Sequence, residues 1–240
     1  MARSRRGDGK PYGQPGLAGA ASSSRRRGDT GKRGIGLREV EVPAGSLVAG
    51  VDEAGRGSLA GPVVAAAVIL PHDAVLPGLT DSKLLSPAVR SRLAEAIHAA
   101  ATSWAVAAVE AADIDATDIL RATLRAMAEA VRQLAPQPDL VLVDGNTVPA
   151  LRVPALAIIQ GDRRVPAISA ASILAKVIRD RIMEDWGARF PAYGFARHKG
   201  YGTAAHCAAI AQHGPSPIHR RTFAGVREYV GEAGLRVLLW

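Results

Sequence analysis

The chain has 240 residues, 48% of them apolar, and a formal net charge of +8. That length suits one well-buried domain. No window approaches the roughly 18 apolar residues of a membrane-spanning helix, and a single cysteine, Cys207, excludes an internal disulfide framework and fits a reducing cytoplasm.

The charge is unevenly placed. Residues 1–34 hold Arg3, Arg5, Arg6, Lys10, Arg25, Arg26, Arg27, Lys32 and Arg33 against Asp8 and Asp29, a net +7, which leaves +1 for everything after them. The segment 1–43 is rich in Gly, Ser, Arg and Pro and poor in aliphatic residues. It has too little apolar surface to offset its ordering entropy and is predicted to be a disordered basic tail. Such a tail is either an arm that holds nucleic acid by phosphate attraction or a plain solvated extension. Its Gly and Pro content argues against a transit peptide.

From residue 44 onward strand and helix signals alternate. Residues 47–52 and 62–70 read as strands joined by a glycine turn, a link too short for a crossover, so they must pair antiparallel. Ser86-Pro87 is an N-cap followed by proline at the first helical position, predicting a helix to about Ala101. Residues 103–110 read as a third strand. A longer helix is expected from Asp113, with Leu120, Leu124, Met127, Val131 and Leu134 on its buried stripe. Residues 139–146 (DLVLVDGN) and 155–162 (ALAIIQGD) are two further strands, each apolar and ending in an acid. A helix over 167–187 opens with AISAAS, small enough for close packing on a sheet. Thr203 caps a last helix through Gln212. The pattern predicts an α/β domain with a mixed sheet.

Three apolar strands therefore end in acids: Asp52-Glu53, Asp144 and Asp162. A lone Asp before Gly at a strand end is usually a turn residue. Three acidic strand ends, one of them doubled, are harder to explain that way. In open α/β sheets functional groups gather beyond the carboxyl ends of the strands. Carboxylates crowded there raise one another's pKa or require a cation. With no Cys or His adjoining them in sequence, the donor set suits Mg²⁺ or Mn²⁺ and not structural zinc. Two such ions about 4 Å apart would activate a water and stabilise the leaving oxygen of a phosphodiester. The glycines that follow, Gly55, Gly57 and Gly61, match neither the dinucleotide fingerprint nor a P-loop. Glycine permits close approach of main-chain groups to a ligand, here to a ribose 2′-hydroxyl, with Arg56 on a phosphate.

The stretches VAGVDEAGRGSLAGPVVAAAVIL, TDSKLLSP, LVLVDGN, IIQGD, SAASILAKVIRDRIM and HKGYGTAAHCAAIAQHGPSPIHRRTF, in this order over roughly residues 46–225, resemble bacterial ribonuclease HII. The resemblance implies a ribonuclease H-like mixed sheet flanked by helices, with a helical C-terminal segment, and one catalytic domain over residues 44–240. It implies a cytoplasmic, monomeric, metal-dependent endonuclease that cuts RNA in RNA–DNA hybrids. Incision at ribonucleotides embedded in DNA, as in ribonucleotide excision repair, is implied too, with 5′-phosphate and 3′-hydroxyl ends and Mn²⁺ or Mg²⁺, two ions, as cofactor. No membrane and no obligate protein partner are expected. The family's metal-binding, catalytic acids fall on Asp52, Glu53, Asp144 and Asp162. Its substrate-contacting Gly-Arg-Gly falls on Gly55, Arg56 and Gly57, and the aromatic that stacks on the junction sugar falls on Tyr201. Two positions depart from the family pattern: Ser58, where many relatives have Pro, and Asp118, where Asn is usual and an acid would weaken any contact with nucleic acid.

Other residues carry weaker signals. Lys83 is either a phosphate contact or a solvated loop lysine. Asp180 lies four residues after Lys176, where a helical ion pair is the ordinary reading; the alternatives are a further metal ligand or a group standing behind the metal ligands. His198, Lys199, His219, Arg220 and Arg221 flank Tyr201 as basic clusters, some of them expected on phosphates. His206 and His213 are expected at the surface or in packing. Two competing readings keep part of this pattern: a phosphotransferase on a related fold, opposed by the missing phosphate loop, and a noncatalytic nucleic-acid-binding module relying on the tail.

Overall fold

A computed structural model of the chain describes residues 43–80 and 82–231. The tail expected to be disordered lies, apart from Pro43, outside the described residues. So do Asp81 and the last nine residues.

Five strands form one mixed sheet: β1 (Val48–Ala54), β2 (Val63–Ile69), β3 (Ser103–Val109), β4 (Leu140–Asp144) and β5 (Ala155–Ile158), in the order β3-β2-β1-β4-β5. β1 pairs antiparallel with β2, as the short link demands, and parallel with β4, which pairs parallel with β5. The sheet is covered on both faces. Helices α1 (Pro87–Ala100) and α4 (Pro166–Arg189) lie on one face. On the other are α2 (Ala111–Ala116) and α3 (Ile119–Arg132). The C-terminal segment adds two short helices, α5 (Phe195–His198) and α6 (Ala204–His213). Among the described residues no helix is long and apolar enough to cross a membrane.

Strand alternation divides the core. Ala49 and Val51 of β1 and Val141 and Val143 of β4 pack toward α3 with Ala126, Met127 and Val131. Ala54 faces the α4 side with Ala66, Val68 and Ala171. α4 comes unusually close to β1. A Cβ at Gly50 would stand 2.1 Å from the Ala167 carbonyl carbon, so the small AISAAS start lets the helix backbone rest on the strand.

The expected boundaries hold within a few residues, with two informative differences. The single helix from Asp113 is two helices. Asp118 stops the first and caps the second, its Oδ1 accepting the Arg121 N–H at 2.8 Å. Leu120, expected on the buried stripe, is 44% exposed because it lines the open cleft with Glu53 and Asp144. Second, β1 runs on to Ala54, so Asp52 and Glu53 lie within a strand and not after it.

Candidate active site

Because neighbouring residues of a strand point to opposite faces, Asp52 and Glu53 straddle the sheet. Asp52 faces α4 beside Ser172, whose Oγ lies 2.9 Å from Ser82 Oγ. Its Oδ1 accepts the Glu53 N–H at 2.7 Å. Glu53 faces α3 and lines a cleft with Arg56, Thr123, Met127, Asp144 and Asn146. The parallel register of Val51 with Val143 brings Asp144 beside this pair at the carboxyl end of β4. Beyond β5 the chain turns through Gln160, at φ +55, into a 3₁₀ turn Gly161–Arg163. There the Asp162 N–H donates to Asp144 Oδ1 at 3.3 Å. Asp162 follows the strand by a full turn instead of ending it.

The electrostatics follow from this crowding. Asp52 is 5% exposed, and burial, then Glu53, then Asp144 hold its carboxyl well above the usual range. Burial also raises Glu53, with Asp144 adding to the effect while Arg56 and Lys83 oppose it. Arg56 Nη1 stands 3.5 Å from Glu53 Oε1, and Lys83 Nζ 3.8 Å from Asp162 Oδ2. Lys83, read as a phosphate contact or a solvated lysine, thus lies against one of the acids. The carboxylates of Asp52, Glu53 and Asp144 lie within electrostatic reach of one another, and Asp162 reaches Asp144 through its main-chain N–H. Among the described residues no three of His, Cys, Asp or Glu are gathered as a metal ion would hold them. Bare carboxylates repel, and here Glu53 turns to Arg56 and Asp162 to Lys83.

The Gly-Arg-Gly turn and Tyr201 are brought together from distant parts of the chain. Ser58 and Tyr201 form an antiparallel bridge, and Leu59 N–H donates to the Gly200 carbonyl at 2.8 Å. Tyr201 is 37% exposed, with the Arg179 guanidinium 5.4 Å and Lys176 Nζ 5.6 Å from its ring centroid. Gly57 opens onto free space, and a Cβ there would meet no atom within 4 Å. The Ser58 hydroxyl is buried and has no hydrogen-bond partner among the described residues. Asp180 accepts from Lys176 Nζ at 2.7 Å and lies 3.7 Å from Arg90 Nη2.

Two arginines hold this arrangement: Arg179, which sequence reasoning missed, and Arg220, which it placed in a basic cluster flanking Tyr201. Arg179 and Arg220 are fully buried. Arg179 donates to the carbonyls of Pro62, Ala60 and Lys199 at 3.0, 3.2 and 3.0 Å. Arg220 donates to Gly61, Arg56 and Gly55 at 3.0, 2.8 and 2.7 Å. Each rigid fork fixes three main-chain oxygens. Burial lowers the pKa of both, with Arg179 adding to the drop in Arg220, to about 9. For Arg179 a signal existed: it lies on the helical stripe with Ala171, Ala175 and Met183, all buried. Arg220, one of a basic cluster with some members expected on phosphates, is therefore a structural fork. His219 is likewise buried, and so is His206, expected at the surface or in packing. Lys199 Nζ is engaged by Glu184 and the Ala196 carbonyl. Asp118 is occupied as a helix cap.

Comparison with known proteins agrees with the resemblance read from the motifs. The profile of a family described as Ribonuclease HII matches residues 49–226. A ribonuclease HII of Nitratidesulfovibrio vulgaris is 57% identical over 192 residues, covering 75% of this chain and 87% of that protein. One of Geobacter metallireducens is 54% identical over 204 residues, covering 84% and 96%. Among solved structures, the ribonuclease H2 of Pyrococcus horikoshii OT3 superposes with a TM-score of 0.65 at 26% identity, over 76% of this chain and 96% of that one.

Proposed function

Since the chain belongs to the ribonuclease HII family and is a ribonuclease H, we propose that it cuts the RNA strand of RNA–DNA hybrids and nicks DNA duplexes at embedded ribonucleotides. The cut leaves 5′-phosphate and 3′-hydroxyl ends. The observation that carries this reading is the meeting of Asp52, Glu53 and Asp144 at the ends of two parallel strands, with the Gly-Arg-Gly turn joined to Tyr201 nearby.

The acids suit divalent ions. All four donors are hard carboxylate oxygens, and Asp52 is buried among like charges that a cation would neutralise. Asp52, Glu53, Asp144 and Asp162 would hold Mn²⁺ or Mg²⁺, which when bound supplies an activated water and neutralises charge on the phosphate. The chain's own groups do the recognition. The main chain at Gly55–Gly57, fixed by Arg220, reads the ribose 2′-hydroxyl where Gly57 leaves room. Arg56, half exposed beside Glu53, takes a phosphate. The Tyr201 ring lies flat on the deoxyribose that follows the ribonucleotide. A flat ring packs well on a sugar without a 2′-hydroxyl and poorly on one with it.

The test is a DNA duplex carrying one ribonucleotide, incubated with enzyme and a titration of Mg²⁺ or Mn²⁺. Metal-dependent nicking beside that ribonucleotide is expected, with the all-DNA duplex intact. Asp144→Asn should lower the rate at least about 10²-fold, the scale of removing one group that stabilises transition-state charge, without loss of fold. Binding without nicking in either metal would overturn the reading in favour of a noncatalytic module.

A further inference from the structure

Under Tyr201 lies a chain of side chains that the proposed chemistry does not use. His206 and His219 are buried, and their Nε2 atoms are 3.0 Å apart. At the far end, His219 Nδ1 is 2.8 Å from the Ser216 main-chain nitrogen and 2.7 Å from Ser216 Oγ. At the near end, His206 Nδ1 is 2.9 Å from the Tyr201 carbonyl oxygen. That carbonyl also accepts the Thr203 N–H at 2.8 Å.

The protons in this chain can be placed by elimination. A main-chain N–H only donates, so His219 Nδ1 is an acceptor. A neutral imidazole carries one proton, so that of His219 is on Nε2 and points at His206. His206 Nε2 must then accept, which puts its proton on Nδ1, aimed at the Tyr201 carbonyl. A carbonyl oxygen only accepts, so both ends of the chain require the same direction. Protonation of His206 would set two N–H groups against each other across 3.0 Å, and protonation of His219 would set its Nδ1–H against the Ser216 N–H across 2.8 Å. Burial, the larger cause for each, holds both imidazoles below their ordinary value, His219 at about 4. The neighbours support neutrality. His198 stacks on His206 at 4.4 Å, and its own Nδ1 accepts the Gly200 N–H at 3.2 Å while its Nε2 lies 2.7 Å from the Tyr193 carbonyl.

We propose that His219 and His206 are positioning residues for Tyr201: a one-way chain of two neutral imidazoles that fixes the carbonyl, and with it the height and tilt of the ring, against the junction sugar. This rests on the reading that Tyr201 stacks on that sugar. The chain sets specificity through Tyr201 and touches no substrate itself. Tyr201 needs such support because it lies in a turn, between Lys199 in the left-handed region at φ +53 and the cap of α6.

Two measurements decide it. Nitrogen-15 NMR of the intact protein should show His219 protonated at Nε2 and His206 at Nδ1. The reverse tautomer of His206, or a charged ring at pH 7, overturns the chain whether or not the protein cleaves anything. The second is a double-mutant cycle on single-ribonucleotide nicking, restricted to variants with native circular dichroism. His206→Phe keeps a ring but neither nitrogen, and should slow nicking about tenfold, the cost of one buried hydrogen bond. His206→Asn, whose amide can donate from near the Nδ1 position, should recover most of that rate. In a Tyr201→Ala background His206→Phe should do little more, because its route to the substrate is gone. Equal losses in both backgrounds, or full activity of His206→Phe, would overturn the proposal. Absence of nicking by the unaltered protein would instead sink the functional reading, with the tautomers still deciding the chain.

Discussion

The carboxylate of Asp52 is buried, with Glu53 and Asp144 as acidic neighbours, so without a bound cation its ionised form raises the energy of the fold. Asp52→Asn removes the repulsion and keeps an oxygen for the Glu53 N–H. The metal-free variant should melt higher, by about 2–4 °C for about 1 kcal/mol in a protein of this size, while losing activity. Added Mn²⁺ should raise the melting temperature of the unaltered protein and leave that of the variant nearly unchanged. A variant that melts lower, or gains equally from Mn²⁺, would remove Asp52 from the metal site. These acids are legible in the amino-acid sequence because charges interrupt apolar strand runs, where burial is otherwise uniform. Arg220 and His219 mislead for the complementary reason. A basic residue in a glycine-rich segment looks the same in sequence whether it meets a phosphate or a carbonyl, and only the fold decides which.

Helix α4 is the element that sets the site's inner wall. One turn of it presents Ser172 to Asp52, and later turns present Lys176 and Arg179 to Tyr201. Its height above β1 is set at Gly50, where the clash of an added Cβ would be with backbone and cannot be relieved by a rotamer. Gly50→Ala should therefore cost at least about 3 kcal/mol, the upper range for overpacking, read as a shift in the urea midpoint. It should also cut activity beyond the loss of folded protein. A variant as stable as the original would show that α4 can slide. The helix itself, its small-residue start and the antiparallel β1–β2 pair are legible from periodicity and linker length. The break at Asp118 is not, because an Asp inside an amphipathic pattern signals either a cap or a solvated side chain.

For the whole molecule, pH acts on folding through the buried imidazoles. His219 has its pKa lowered to about 4 from 6.5, and His206 is lowered too. Between those values the unfolded chain binds protons that the folded one does not. Stability is therefore lost as pH falls through about 6.5 toward 4, by up to roughly 3 kcal/mol from His219. The raised carboxyls of Asp52 and Glu53 work in the opposite sense, so the comparison must be differential. Urea midpoints of the unaltered protein should drop more between pH 7.5 and 5 than those of His219→Gln; parallel curves would contradict the burial of a neutral His219.

Apart from the Arg179 bond to Lys199, the forks of Arg179 and Arg220 join positions 117 to 165 residues apart. During synthesis, then, the turn at Gly55–Gly57 leaves the ribosome long before the side chain that will hold it. A nascent chain stopped short of residue 220 would already own Asp52, Glu53, Asp144 and Asp162 yet lack the clasp on its recognition loop. Nuclease competence should appear only once residue 220 has joined the fold, which keeps shorter nascent chains from cutting nucleic acid.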